Sequence, residues 1–281
     1  MKSTITTAAL FAMMCTSGAM VPNSIPALQT WISSNGGSIH PSVCAKQAGD
    51  MQGVGLFVKE GKSVRRGEVM VSIPPKLHLS YEKVVGKDLN TLIDKEVPAE
   101  KWDVKLALAL LSVASSASAA EGQQWGPYLE SLPQTLNNLP IFYKGAALKE
   151  KEETYPGISS EVVGRAALLK TVSSSLANAH ACLEGLSVRR LAWAYGIATS
   201  RSVRLDKKRD GLLLPFVDFA NHDFEPNAQI RRSGSSSPSA ELVAQRDLSA
   251  SEQITICYGN LGNQELLLNY GFEITGNKFD K

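Results

Sequence analysis

The chain has 281 residues, of which 43% are hydrophobic and 20% charged, which is the balance of an ordinary globular protein. Its formal net charge of +2 at pH 7 excludes a strongly basic protein, and we expect it to bind neither nucleic acid nor membrane. Its four cysteines have no C-x-x-C spacing, so we predict reduced thiols and no structural zinc site.

The first 22 residues are predicted to be a targeting segment that is removed from the mature protein. Lys2 precedes a short apolar stretch from Ala8 to Met14, and small residues follow, which is the order of a secretory signal. The first acidic residue of the chain is Asp50, and a long Ser/Thr-rich start without acids is typical of organelle transit peptides. We expect cleavage near residue 22 and import into an organelle; the alternative is an ordinary disordered terminus.

The region that follows is predicted to be mainly β-structure. A short helix is expected over residues 27–33. Gly53 and Gly55 lead into an apolar strand that ends at Val58. A second strand, over residues 69–73, is stopped by two prolines, which cannot donate hydrogen bonds to a sheet.

The middle of the chain has the periodicity of helices. Apolar residues recur at helical spacing over residues 102–113, and further helices are predicted over 159–183 and 187–202. Ser187 is a suitable N-cap for the last of these helices, and Arg201 lies at its C-terminal end.

The last part of the chain is predicted to be β-structure again. Candidate strands cover residues 212–219, 228–232, 241–246 and 253–257. Two Ser-rich stretches, residues 115–124 and 233–239, are predicted to be a loop and a turn. The order of these patterns predicts an α+β fold, in which a β domain is interrupted by a helical insert of about 120 residues.

Two clusters of polar and aromatic residues are candidates for chemistry. The first runs from Asp218 to Asn227 directly after an apolar stretch, and a simple turn is an equally good interpretation of its composition. A metal site there is a weak alternative because no second histidine lies near His222 in the sequence, and we expect no metal. In the second cluster Tyr258 and Tyr270 each precede a glycine, although packing in the core is the ordinary interpretation of a single tyrosine.

Several common enzyme classes lack their sequence signals in this chain. Gly53-Val54-Gly55 is not a dinucleotide fingerprint, since the chain continues there as a strand rather than a helix. The sequence contains no P-loop, no G-x-S-x-G nucleophile elbow and no H-E-x-x-H zinc motif. The usual signals of kinases, serine hydrolases and zinc proteases are therefore missing.

Together the clusters resemble the SET-domain family of protein methyltransferases. Asn221-His222-x-x-x-Pro226-Asn227 is similar to the family's N-H-x-x-x-P-N element, and Ile256-x-Tyr258-Gly259 followed by Asn269-Tyr270-Gly271-Phe272 is similar to its second element. Gly53-Val54-Gly55-Leu56 matches the G-x-G-L near the N-terminal end of the family. With the helical insert, the nearest resemblance is to the Rubisco large-subunit lysine methyltransferase group, over roughly residues 27–275.

The resemblance implies a β-rich SET fold in which the C-terminal segment threads beneath a preceding loop. This knot-like crossing would bring Asn221-His222 beside Tyr258 and departs from the rule that chains do not thread loops. The implied boundaries are a targeting segment at 1–22, the N-terminal part of the SET domain at 23–82, the helical insert at 83–205, the C-terminal part of the SET domain at 206–275 and a tail at 276–281.

The resemblance also implies S-adenosylmethionine as methyl donor. The glycines would let the backbone approach this cofactor closely, and Arg201 could pair bidentately with its carboxylate. Tyr258 is the expected catalytic residue, because its hydroxyl would favour the positive charge that moves with the methyl group. Asp218 and Tyr270 are expected to bind the substrate side chain. The expected cofactor contacts are Gln52, Gly53, Val54, Gly55, Arg201, Asn221, His222, Tyr258 and Phe272.

The expected partner is a protein that presents a lysine, and the expected oligomeric state is a monomer. Two alternatives stay open: methylation of histidine, as in one branch of the group, and a SET-like interaction module without activity. The Rubisco-type enzymes continue into a helical domain that docks the protein substrate, whereas this sequence stops at Lys281, so the substrate stays open as well. Analogy with enzymes that act on plastid proteins indicates the plastid as destination, with cytoplasm or nucleus as alternatives.

Overall fold

The computed structural model describes residues 24–49, 53–115, 125–205, 211–234 and 238–280. The predicted targeting segment, Gln52 and nearly all of the predicted loop at 115–124 lie outside these residues. The described chain forms two compact units. The β unit comprises residues 24–83, 201–262 and 277–280, and the helical unit comprises residues 84–200 and 263–276. The functional domain boundaries inferred from the sequence stay a prediction.

The β unit contains two four-stranded sheets among its described residues, with the orders β1-β4-β7-β6 and β2-β3-β8-β5. Neighbouring strands are antiparallel, except that β5 and β8 are parallel. The strands are β1 Ser38–Ile39, β2 Val43–Gln47, β3 Val54–Val58, β4 Val69–Ile73, β5 Asn221–His222, β6 Ala228–Arg232, β7 Ala240–Ala244 and β8 Gln253–Ile256.

Apolar side chains that face the core explain the central strands. Met70, Val71 and Ile73 of β4 are buried, and a β-bulge between Val69 and Val71 shifts the register against β7. Strands β4 and β6 have the bounds that the sequence predicts, and β3, β7 and β8 differ from the prediction only at their ends. The α+β fold class is confirmed.

The strand predicted over residues 212–219 is wrong. Its first two residues form only isolated bridges. Pro215 has no N–H to donate to a strand ladder, and Phe216 has a φ of 71°, which takes the backbone out of the extended region. Val217–Phe219 then form a 3₁₀ turn whose side chains are buried. Burial in the core, and not strand pairing, therefore accounts for the apolar composition of this stretch.

Most helices of the described chain lie in the helical unit, and the first one, Ser24–Ser34, lies in the β unit. The predicted helices are confirmed, but the helix predicted over residues 159–183 ends at Leu176, and Ala181–Leu183 form a separate 3₁₀ turn. Ser187 is the N-cap of α8, since its Oγ accepts a hydrogen bond from the N–H of Arg190 at 3.3 Å. The helices are α1 Ser24–Ser34, α2 Tyr81–Val84, α3 Lys87–Glu96, α4 Trp102–Ala114, α5 Gly126–Leu129, α6 Gly145–Thr154, α7 Ile158–Leu176, α8 Val188–Arg201 and α9 Asn263–Tyr270.

Some elements have no counterpart among the predicted ones. Helix α3 is rich in charged and polar residues and buries only Leu89 and Ile93. No disulfide joins the described cysteines, Cys44, Cys182 and Cys257. Within the described ranges, no helix combines the length and apolar character that a membrane span needs.

Candidate functional site

The parallel pairing of β5 and β8 brings together two segments that are distant in the sequence. Residues 221–222 pair with residues 255–256. The side chain of Asn227 connects the same segments: Nδ2 donates to the carbonyl of Gln253 at 2.7 Å, and Oδ1 accepts from the N–H of Thr255 at 2.9 Å. Asn227 is only 3% exposed, so these hydrogen bonds are shielded from water.

Tyr258 follows β8 and contacts β5 through both its backbone and its side chain. Its N–H donates to Nδ1 of His222 at 3.0 Å, and its hydroxyl donates to the carbonyl of Ala220 at 2.8 Å. The rings of Tyr258 and His222 are 5.2 Å apart between centroids. The structure thus brings Tyr258 next to the Asn221-His222 pair, whereas the knot-like threading stays a prediction.

The imidazole of His222 is neutral near pH 7. Burial lowers the pKa of His222, and the neighbouring carboxylate of Asp223 and carbonyl of Ile256 offset only part of this effect. Because Nδ1 accepts a hydrogen bond from Tyr258, the proton of the neutral ring is on Nε2. Phe224 meets the ring edge-on, with 4.6 Å between centroids. No positive charge from this histidine therefore stands beside Tyr258.

Strand β3 approaches β5 and β8 closely at Gly55. A Cβ at this position would lie 2.9 Å from Nδ2 of Asn221 and 3.0 Å from Nε2 of Gln253, so a larger residue does not fit without movement. Both amide nitrogens are buried and have no hydrogen-bond partner among the described residues. Gly53 has a φ of 65° with open space where its Cβ would be, and Val54 begins β3.

Arg201 and Asp218 form a charge pair at the C-terminal end of α8. Nη1 of Arg201 lies 3.6 Å from Oδ2 of Asp218 and donates to the Asp218 carbonyl at 3.2 Å. The side chain of Asp218 is fully buried, and that of Arg201 is 17% exposed. The other guanidinium N–H groups of Arg201 have no hydrogen-bond acceptor within the described ranges, so they can still take one. No local sequence pattern links the two residues, so this pairing cannot be predicted from the sequence.

Tyr270 and Phe272 lie in the helical unit, where α9 ends. Their ring centroids are 6.2 Å apart. Gly271 between them has a φ of 77°, and its N–H donates to the carbonyls of Leu266 and Leu267, which ends the helix. Nδ2 of Asn138 is 3.4 Å from the carbonyls of both Tyr270 and Gly271.

Sequence reasoning missed several residues that support these positions. Asn227 belongs to the N-H-x-x-x-P-N motif, but the motif does not indicate that its side chain connects β5 with β8. Asn138 and Glu273 have no local signal in the sequence. In the part of the chain that the structure describes, no three His, Cys, Asp or Glu side chains come close enough to hold a metal ion.

Comparison with known proteins gives a match over most of the chain. The sequence model of the SET domain matches residues 53–259. "SET domain-containing protein 4" of Homo sapiens is 26% identical over 243 residues, which cover 78% of this chain and 52% of that protein. The "[Fructose-bisphosphate aldolase]-lysine N-methyltransferase, chloroplastic" of Arabidopsis thaliana is 27% identical, over 91% of this chain and 53% of that protein.

A histidine-modifying protein and a solved structure are also similar. The "Actin-histidine N-methyltransferase" of Homo sapiens is 23% identical, over 91% of this chain and 43% of that protein. The crystal structure of the SET domain of LSMT bound to lysine and AdoHcy has a TM-score of 0.73 at 20% identity, over 91% of this chain and 58% of that one. This likeness concerns the fold. The chain spans about half the length of the curated relatives it matches.

Proposed function

The chain belongs to the SET-domain family, and we propose that it is a protein N-methyltransferase that transfers a methyl group from S-adenosylmethionine to a lysine side chain. The contact of Tyr258 with His222 carries the proposal, because it joins two motif elements across 36 sequence positions. Tyr258 is half-buried rather than enclosed in the core, and its hydroxyl is held at the edge of the paired strands.

The residues of the β unit fit this cofactor, which carries a sulfonium, an ammonium and a carboxylate. The positive φ of Gly53 and the open space beside it permit a close backbone approach. The buried amide nitrogen of Asn221 has no hydrogen-bond partner among the described residues, and the remaining donors of Arg201 suit a carboxylate. The other proposed contacts are Gln52, Val54, Gly55, His222, Tyr258 and Phe272.

Catalysis by this chain would consist mainly of positioning and electrostatics. Bound S-adenosylmethionine would supply the activated methyl group for an in-line displacement. The Tyr258 hydroxyl donates its hydrogen bond to the Ala220 carbonyl, so the lone pairs of its oxygen remain available to stabilise positive charge. A neutral His222 adds no repulsion of that charge.

The acceptor nitrogen must lose its proton before it can attack. Tyr270 and Phe272 would desolvate a lysine ammonium and so lower its pKa. The buried carboxylate of Asp218, held by Arg201, is proposed to orient the acceptor group. Tyr258 remains the one residue to which we assign a catalytic role.

The experiment that tests the activity is transfer of an isotopically labelled methyl group into extract proteins, followed by mass spectrometry of the modified peptides. Labelled lysines that require the added protein would support the proposal. Folded protein that binds no S-adenosylmethionine by calorimetry at high ligand concentration would refute it, and would leave a SET-like interaction module as the better interpretation.

Methylation of histidine is the second candidate, and the similarity to an actin-histidine N-methyltransferase favours keeping it. The two relatives with named targets differ in the acceptor residue, while their identities to this chain differ little. The same labelling experiment separates the candidates, because the mass spectra assign each labelled methyl group to a lysine or to a histidine.

The proposed place of action is the plastid, and the proposed form is a monomer. Support for the plastid comes from the sequence of residues 1–22 and from the chloroplastic relative. N-terminal sequencing of the natural protein and imaging of a C-terminal fluorescent fusion test the location. An intact Met1 with diffuse cytosolic signal would contradict it, and nuclear accumulation would turn the substrate towards chromatin.

A further inference from the structure

The turn after α9, residues 270–273, is fixed by side chains of the helical insert. Both carboxylate oxygens of Glu273 are engaged: Oε2 accepts from Nζ of Lys151, and Oε1 accepts from the hydroxyl of Tyr155, each at 2.5 Å. Lys151 lies on α6, and Tyr155 follows the end of that helix. The three residues Glu273, Lys151 and Tyr155 are called the anchor cluster below.

The segment that comprises α9 and this turn, residues 263–274, is also held by hydrogen bonds at other points. At its base, the side chain of Asn263 donates to the carbonyl of Ile274 at 2.9 Å and accepts from the N–H of Ile274 at 2.8 Å. On α7, Nη1 of Arg165 donates to Oδ1 of Asn269 at 2.9 Å. At the turn itself, a Cβ on Gly271 would lie 2.3 Å from Nδ2 and 2.8 Å from the carbonyl oxygen of Asn138, so no larger residue fits there without movement of Asn138.

Apolar packing completes the attachment of α9 to the insert. Leu267 is buried together with Ile158 and Val162 of α7, and Tyr155 packs against the same group. Tyr155 therefore has two contacts with the segment, an apolar one through its ring and a polar one through its hydroxyl. The anchor cluster couples the position of the turn directly to the packed core of the helical unit.

The hydrogen bonds within the anchor cluster orient the Glu273 carboxylate, whereas the ion pair adds little to the free energy of folding. Burial alone would raise the pKa of Glu273, but hydrogen bonds from Lys151 and Tyr155 outweigh it and hold the pKa below its usual value. The hydrogen bond to Glu273 raises the pKa of Lys151. The side chains of Lys151 and Glu273 are 24% and 32% exposed, so water screens much of their attraction. Two short hydrogen bonds to one carboxylate nevertheless fix its direction.

We propose that Glu273 is a positioning residue that, through Lys151 and Tyr155, fixes the turn carrying Tyr270 and Phe272 and thereby sets the affinity for the acceptor side chain. The inference rests on the proposed function, in which that turn contacts the acceptor. Glu273 itself touches neither substrate nor cofactor in this proposal. Phe272 is the one proposed cofactor contact on this turn, so the loss of Glu273 should weaken acceptor binding much more than S-adenosylmethionine binding.

The test compares two substitutions with a matched control. Glu273→Gln removes the charge and one of the two acceptor oxygens, and the double variant Lys151→Glu with Glu273→Lys reverses the ion pair. Glu241→Gln is the control, because it breaks a comparable ion pair with Arg231 in the β6–β7 hairpin. Each variant is measured by hydrogen exchange with mass spectrometry and by steady-state kinetics with Nα-acetyl-lysine amide as acceptor.

We expect Glu273→Gln to speed amide exchange over residues 264–274 about tenfold without changing exchange over residues 253–258. The KM for Nα-acetyl-lysine amide should rise about tenfold, with kcat and the Kd for S-adenosylmethionine changed far less. The reversed pair should recover only the part of the wild-type behaviour that depends on the ion pair, because a lysine at position 273 cannot accept the hydrogen bond of the Tyr155 hydroxyl. Glu241→Gln should change neither the exchange nor the KM.

Unchanged exchange over residues 264–274 would overturn the proposal, as would a parallel loss of S-adenosylmethionine affinity. A lower kcat at constant KM would also contradict it, because positioning of the acceptor would then not be what Glu273 does. Wild-type protein that does not methylate the lysine probe would count against the proposed activity, and the exchange data would decide the role of Glu273 by themselves.

Discussion

The side chain of Tyr258 has one polar group, its hydroxyl, and this hydroxyl is the donor of a hydrogen bond. Because the hydroxyl donates to the Ala220 carbonyl, its oxygen is oriented before any ligand arrives. Tyr258→Phe should lower kcat by about 100-fold and change the Kd for S-adenosylmethionine far less, since the hydroxyl is proposed to act on the transition state. Turnover assays and calorimetry measure the two quantities, and equal losses in both would contradict the role.

Arg201 pairs with Asp218 and is also proposed to bind the cofactor, and a pair of substitutions can separate these two roles. Arg201→Lys keeps a positive charge beside the buried Asp218 but loses the planar fork, so cofactor binding should weaken by about 1.5–3 kcal/mol with little loss of stability. Arg201→Ala should weaken binding to the same degree and also lower the melting temperature, because it removes the positive charge beside a buried carboxylate. Calorimetry and thermal denaturation test this, and normal binding by both variants would exclude Arg201 from the cofactor site.

At this scale the motif residues could be predicted and their partners could not. Asn221, His222 and Tyr258 stand in recognisable spacings, so their proximity follows from the resemblance. The pairing of Arg201 with Asp218 depends on how the 3₁₀ turn at residues 217–219 is packed, which no spacing encodes. From the sequence, Arg201 is expected to bind the cofactor and Asp218 the acceptor side chain. In the structure these two residues also contact each other.

The parallel pairing of β5 with β8 depends on Asn227, which connects the two segments with its amide. Asn227→Asp keeps an acceptor for the N–H of Thr255, loses the donor to Gln253, and puts a second negative charge beside Glu252. We expect the free energy of unfolding to fall by about 2–3 kcal/mol, because the group is buried.

Urea denaturation measures this loss, with Asn137→Asp as the control at an exposed asparagine that has no hydrogen bond among the described residues. A loss no larger than that of the control would show that the β5–β8 pairing does not need the amide of Asn227.

Elements with enough residues to show a period were predictable, and the shortest ones were not. The five-residue strands β4 and β6 have the predicted bounds because their turn residues and apolar pattern agree. Strand β5 has two residues, which is too short for any alternation. Residues 212–219 look like a strand because they are apolar, yet Pro215 and the positive φ of Phe216 send the chain into a turn.

The stability of the whole chain should fall between neutral and mildly acidic pH because of His78. Burial lowers the pKa of His78 from 6.5 to about 4, although its hydrogen bond with the Ile73 carbonyl opposes this change. Between these pH values His78 is protonated in the unfolded chain but not in the folded chain. The contribution of neutral His78 to stability is therefore fully present above about pH 6.5 and is lost as the pH falls towards 4. The buried imidazole of His222 contributes in the same direction.

We expect His78→Gln to remove about 2–3 kcal/mol of this pH dependence, measured as the difference in unfolding free energy between pH 7 and pH 4.5. The carboxylates of Glu252 and Glu273 have lowered pKa values and lose their contribution only below about 4.5, so they do not mask the effect. The prediction fails if wild type and variant have the same pH profile.

Grouping of the C-terminal helix was the least predictable property at the scale of the molecule. The second motif element runs through Tyr258 to Phe272 without a break in pattern, yet residues 263–276 cluster with the helical insert and not with the strands before them. Side chains such as Asn138, Lys151 and Arg165 make this assignment, and each is more than 100 positions away from its partner in the sequence.

The pairing of β3 with β8 has a consequence for how the protein is made. Leu56 pairs with Ile254, and β4 likewise waits for β7, so the first strands leave the ribosome roughly 200 residues before their partners, an interval of about 10–40 s. During that time the partner strands β7 and β8 are absent, so the side chains of Leu56, Met70 and Val71, which are buried in the folded protein, are not yet covered by complete sheets. The yield of folded protein should therefore depend on chaperones that cover the nascent N-terminal strands until translation is finished.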